Sequence, residues 1–84
     1  MASYQILYWQ DVPSQVKAWD DFDEINLMLP ARFMIRIDQV AQEKGLTGTD
    51  EYLAQWRWGD VEERAGTPAE VAEAVRGELD TASA

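Results

Sequence analysis

Tryptophan stands at positions 9, 19, 56 and 58 of this 84-residue chain, each time in a stretch that reads as a β-strand. Successive strand side chains point to opposite faces, so each segment commits its indole to one side of a sheet. Three such strands carry more aromatic surface than one small core needs. Eighty-four residues make one domain, 1–84, whose stability is set by a small core at roughly 5 kcal/mol. No cysteine is present to add a disulfide, which fits a reducing, cytoplasmic setting.

The strand signals come in order. Tyr4 to Trp9 alternates, with Tyr4, Ile6 and Tyr8 on one face and Gln5, Leu7 and Trp9 on the other. Asp11-Val12-Pro13-Ser14 reads as a turn, since proline presets φ and lacks a donor. Gln15 to Trp19 then returns as the second strand of a hairpin, Val16 and Ala18 facing one way and Lys17 and Trp19 the other. Gln55 to about Glu63 reads as a third strand, with Trp56 and Trp58 sharing a face and Arg57 on the opposite one. A helical reading of Leu53 to Arg57 competes, but Gly59 would weaken a helix interior and tryptophans two apart suit a pleat.

The helices are marked by their ends. Pro30 opens the main one, with Phe33, Ile37, Val40 and Ala41 at helical spacing. Ile35 falls about 160° from the centre of that stripe and is expected to be partly exposed. Gly45 ends the helix in the left-handed C′ position, letting Leu46 fold back onto Ala41. Thr49 can cap a short turn through Leu53. Thr67-Pro68-Ala69-Glu70 spells a capping box before Val71, Val75 and Leu79, an amphipathic helix whose tail, 80–84, is expected to fray.

This order, β-β-α-β-α, predicts an α+β fold: a three-stranded, largely antiparallel sheet with two helices packed on one face. Ile6, Tyr8, Val16, Ala18, Trp56 and Trp58 are then the covered side. Leu7, Trp9, Lys17, Trp19 and Arg57 are the open side and the expected partner-binding face. Aromatic residues and arginine dominate interaction hot spots. The competing reading keeps Trp9 and Trp19 in the core, because a one-residue slip in register exchanges the two faces.

Composition removes many functions. Without histidine or cysteine there is no imidazole base, no thiolate nucleophile and no His/Cys metal site. Sixteen acidic against seven basic side chains give a net charge of −9, which repels a phosphate backbone and an anionic membrane surface. The acidic run Asp20-Asp21-Phe22-Asp23-Glu24 lacks the glycine of a calcium loop and reads as solvated. No phosphate-binding loop is formed by the glycines at 45, 48, 59, 66 and 77. The expectation is no catalytic residue, no metal and no cofactor. Neither a secretory leader nor a membrane span is expected, for want of a long apolar run.

Tyr4-Gln5-Ile6-Leu7-Tyr8-Trp9, Leu29-Pro30-Ala31-Arg32-Phe33, Gly45-Leu46-Thr47-Gly48, Tyr52-Leu53 and Trp56-Arg57-Trp58-Gly59, with Arg64 and Gly66, resemble the small bacterial "virulence factor" domain family over nearly the whole chain. That resemblance implies a small bacterial accessory domain and brings no catalytic residue with it. A similar domain stands beside helical repeats in a larger staphylococcal protein that affects virulence traits. Stand-alone proteobacterial members look like companions of corrinoid- and folate-dependent methyl-transfer proteins. Two functional expectations result: a non-catalytic domain that docks a protein partner through its aromatic strand face, or a small subunit of such a methyl-transfer system. A small-molecule binder walled by the tryptophans is a third. A homodimer is an alternative way to cover the open face.

Overall fold

A two-residue turn at Gln10 and Asp11 folds the first strand back on itself, with Gln10 in the left-handed region at φ 54°. The computed structural model describes residues 1–82. In it, β1 (Ala2–Trp9), β2 (Val12–Trp19) and β3 (Glu24–Met28) form an antiparallel meander. Two shorter strands, β4 (Trp56–Trp58) and β5 (Glu62–Arg64), pair antiparallel with opposite ends of β1's free edge. The sheet order is β3-β2-β1-β4, with β5 further along β1. Three helices complete the fold: α1 (Ala31–Glu43), α2 (Asp50–Ala54) and α3 (Pro68–Ala82).

The α+β class and antiparallel pairing hold, but among the described residues the sheet has five strands and there are three helices. The expected three-stranded count missed β3, whose Ile25 and Leu27 alternate with Glu24, Asn26 and Met28. Its charged and amide residues sit on the outward side of an edge strand, where they hide the β pattern and discourage edge-to-edge pairing. The expected third strand is interrupted at Gly59, whose N–H donates to the Ile6 carbonyl at 2.8 Å. A Cβ there would lie 3.1 Å from the Tyr8 ring and 3.4 Å from that carbonyl, so the backbone passes where a side chain would crowd it.

The turn is also earlier than expected, and Pro13 and Ser14 belong to β2. Pairing steps from Leu7 opposite Gln15 to Tyr8 opposite Pro13. Ser14 is therefore the extra residue of a β-bulge, a position that also accommodates the proline's missing donor. Its carbonyl accepts from Leu29 N–H at 3.0 Å. Beyond the bulge, Val12 pairs with Trp9 and leaves the side occupied by Val16 and Ala18.

Two apolar clusters result. In one, Val71, Ala72 and Val75 of α3 pack on Ala2, Val16 and Ala18, flanked by Tyr4, Ile6, Ile25 and Leu27. In the other, Trp9 is wholly buried with Ile37 and Ala41 of α1, surrounded by Val12, Met34, Leu46, Tyr52 and Trp56. By alternation along β1, Trp9 points away from the side that Tyr4 and Ile6 present to α3. The helices thus do not share one face as expected. α3 covers one side, while α1 and α2 close over the hairpin end on the other.

Local chemistry fixes the helix ends. Pro30 stands at the N-cap of α1 with extended ψ of 152°, one residue before the position expected. At the other end Gly45, at φ 68°, allows Gly45 N–H to reach the Gln42 carbonyl and Leu46 N–H to reach that of Ala41. This is a Schellman closure. Ile35 is exposed, as the helical phase requires. Before α3, Glu70 N–H donates to Thr67 Oγ1 at 3.2 Å and Thr67 N–H to Glu70 Oε1 at 3.0 Å, both halves of the capping box. α3 extends to Ala82, and near that end Arg32 pairs with the Asp80 carboxylate and donates to the Asp80 carbonyl at 2.6 Å. Ser83 and Ala84, the rest of that expected tail, lie outside the described residues.

Replacing Thr67 with alanine should lower stability by about 1 kcal/mol in urea denaturation. An unchanged midpoint would remove the cap from the account. The Thr67 backbone and hydroxyl bonds hold the Glu70 carboxyl below the usual glutamate pKa. A lowered folded pKa adds stability above the unfolded value and loses it as pH falls through the folded one. The stability gap between wild type and Glu70→Gln should accordingly narrow in acid.

Candidate interaction face

The β pairing lays the side chains of the sheet's second side out in rows. One row runs Glu63, Ser3, Trp19, Glu24; the next holds Gln5, Lys17 and Asn26; the third runs Trp58, Leu7, Gln15, Met28. The fourth is Trp56, Trp9 and Val12, which belongs to the cluster under α1. The first three rows have no helix of the α3 cluster over them. Trp58 is 43% exposed and Met28 56%.

Lys17 organises this face. Its ammonium lies 5.4 Å from the Trp19 ring centre and 5.7 Å from that of Trp58, a cation between two indoles. Glu24 Oε1 completes the arrangement at 3.6 Å. Gln5 is held beside it by donating to the Gly59 carbonyl at 3.1 Å. The aromatic rings are therefore positioned by strands and by a cation rather than left to rotate freely on a loop.

Of the five residues expected here, Leu7, Lys17 and Trp19 share the open side. Trp9 points the same way but is fully buried, its indole N–H donating to the Tyr52 carbonyl at 2.9 Å and its ring 5.4 Å from that of Tyr52. It is core, and the expectation that it is exposed is corrected. Arg57 is on the other side of the sheet, its guanidinium 5.1 Å from the Tyr8 ring centre. The strand register is the reason: Trp56 lies opposite Trp9 and Trp58 opposite Leu7, so the pair of tryptophans takes the side assigned to Arg57. Trp58, placed in the core from sequence, belongs to the open face instead. The alternation was readable; which of two sides met β1 was not.

The chemistry available elsewhere is modest. Among the described residues no three acidic side chains are grouped to hold a metal ion. The Asp20 carboxylate is occupied by the Phe22 and Asp23 N–H groups at 2.8 Å each, which lower its pKa and make the acidic run a hairpin turn. Tyr4 is a donor to Glu62 at 2.8 Å, and that bond raises its pKa. A groove of about 420 Å³ is lined by Asp11, Val12, Pro13, Arg32, Phe33 and Arg36, with Arg32 already committed to Asp80. None of the described helices is long and apolar enough to cross a membrane.

Residues 7–83 match the family model described as Virulence factor. No curated protein and no solved structure matches the chain.

Denaturation of three variants separates core from face. Trp9→Ala should cost ~3–5 kcal/mol through its cavity. Arg57→Ala should cost under ~1 kcal/mol, the scale of an exposed cation–π contact, and Trp58→Ala clearly less than Trp9→Ala. A Trp58 variant as unstable as the Trp9 variant would mean that the register of β4 is wrong.

Proposed function

The chain belongs to the virulence-factor family, and from that premise we propose that it is a non-catalytic interaction domain whose open strand face docks a protein partner. One observation carries this reading: Trp19 and Trp58 flank Lys17 on the part of this sheet side that lies beyond the Trp9 cluster under α1 and α2, where Trp58 is exposed. Exposed aromatic surface of this kind usually marks an interaction site. Tryptophan at the centre of a contact contributes large area at little entropic cost. Leu7 and Met28 extend the apolar strip on the Trp58 row. Histidine and cysteine, two of the residue types suited to acid–base or nucleophilic catalysis, are absent.

The double variant Trp19→Ser with Trp58→Ser tests the reading. It should keep the circular dichroism spectrum and cooperative melt of the wild type while losing the protein that co-purifies with it. Retention of the partner by a folded double variant would refute the assignment of this face.

A further inference from the structure

We infer that the segment docking on this face is basic, presenting arginine or lysine side chains to Trp19 and its acidic neighbours. This rests on the docking reading above and adds the chemistry of the occupant. The row through Trp19 carries a carboxylate at each end, Glu63 and Glu24, and both are exposed. Beyond Trp19 the chain continues into Asp20, Asp21 and Asp23. Lys17 is the cation of the face, and it is already shared between two indoles and Glu24.

What the face offers a visitor is therefore negative charge around aromatic rings. The rest of the chain reinforces it with a net charge of −9. An indole attracts a cation to its face, and a surplus of one sign steers an oppositely charged partner toward it. The same charges argue against a second copy as occupant. Stacking two such faces about a two-fold axis would bring two −9 chains and their Glu63 and Glu24 rows together, and like charges in contact are repulsive.

Geometry suggests the probe. Glu63 and Glu24 lie on strands three spacings apart, about 14 Å. Residues i and i+4 of an extended peptide are about 13 Å apart. The peptide acetyl-Arg-Gly-Ser-Gly-Arg-amide can span the row, and its Glu-for-Arg counterpart is the control.

In ¹⁵N-labelled protein the four indole N–H signals give separate readouts, with buried Trp9 as an internal reference. The arginine peptide should shift the Trp19 and Trp58 signals saturably and leave Trp9 still, with an affinity that falls as salt is added. The glutamate peptide should not shift them. Glu24→Gln with Glu63→Gln should weaken the arginine peptide at least about 5-fold, roughly 1 kcal/mol. Equal shifts with both peptides, shifts by neither, or undiminished binding to the double glutamine variant would each overturn the basic assignment. So would movement of the same two signals on raising protein concentration alone, which would make the occupant a second copy. If the tryptophan double variant still loses its co-purifying protein in any of these cases, the docking reading survives and only the charge of the partner is refuted.

Discussion

A wholly buried indole brings one polar atom into the core, and that N–H must find an acceptor or forfeit a hydrogen bond. Here Trp9 meets the carbonyl of Tyr52 on α2, while its ring is enclosed by Ile37 and Ala41 of α1. One side chain thus joins the end of β1 to two helices that follow it by more than twenty residues. Burying a tryptophan removes roughly 150–250 Å² from water, on the order of 4–6 kcal/mol before entropy is counted. That is comparable to the whole net stability of a domain this small. Once Trp9 is turned toward α1, alternation leaves no choice for its neighbours. Leu7 must lie one row away on the same side, Trp58 must face it from the neighbouring β4, and the uncovered strip follows.

How far this could be read from residues varied with the kind of signal. Signals confined to a few adjacent positions were legible: the Thr67/Glu70 box, the Gly45 closure, the Thr49 cap, and the phase that exposes Ile35. Alternation in β1 and β2 also gave the right sides for Tyr4, Ile6, Val16, Ala18, Lys17 and Trp19. What failed depended on distant partners. Nothing local to Trp56-Arg57-Trp58 says which side meets β1, so Arg57 and Trp58 exchanged places. Alternation puts Trp9 on its correct side, but α1 returns to cover that end of it, a tertiary fact. β3 escapes the reading because its inward apolar residues are only Ile25 and Leu27, Met28 faces outward, and its start is masked by the Asp20 turn.

The division of labour between helices also has a simple cause. A chain of this size buries a limited share of its surface, and α3 uses its Val71, Ala72 and Val75 stripe on one side of the meander. α1 spends its Phe33, Ile37 and Ala41 stripe at the hairpin end. Ion pairs such as Arg64 with Glu78 and Arg32 with Asp80 then tie α3 to β5 and α1 at its rim. These are partly exposed and individually weak, so they orient the helix rather than hold it.

The bulge at Ser14 gives the first hairpin two fronts: Val16 and Ala18 look toward α3, and Val12, four residues earlier, looks toward Trp9. An uninterrupted strand would have kept all three on one side. The constraint at this point is on chain length more than on chemistry. Many small residues can occupy position 14, but losing it would rotate Val12 out of the Trp9 cluster and gaining one would displace the turn. Along the lineage of such domains, drift in the first hairpin should therefore proceed by exchange of side chains, with the spacing between Trp9 and Val16 kept fixed.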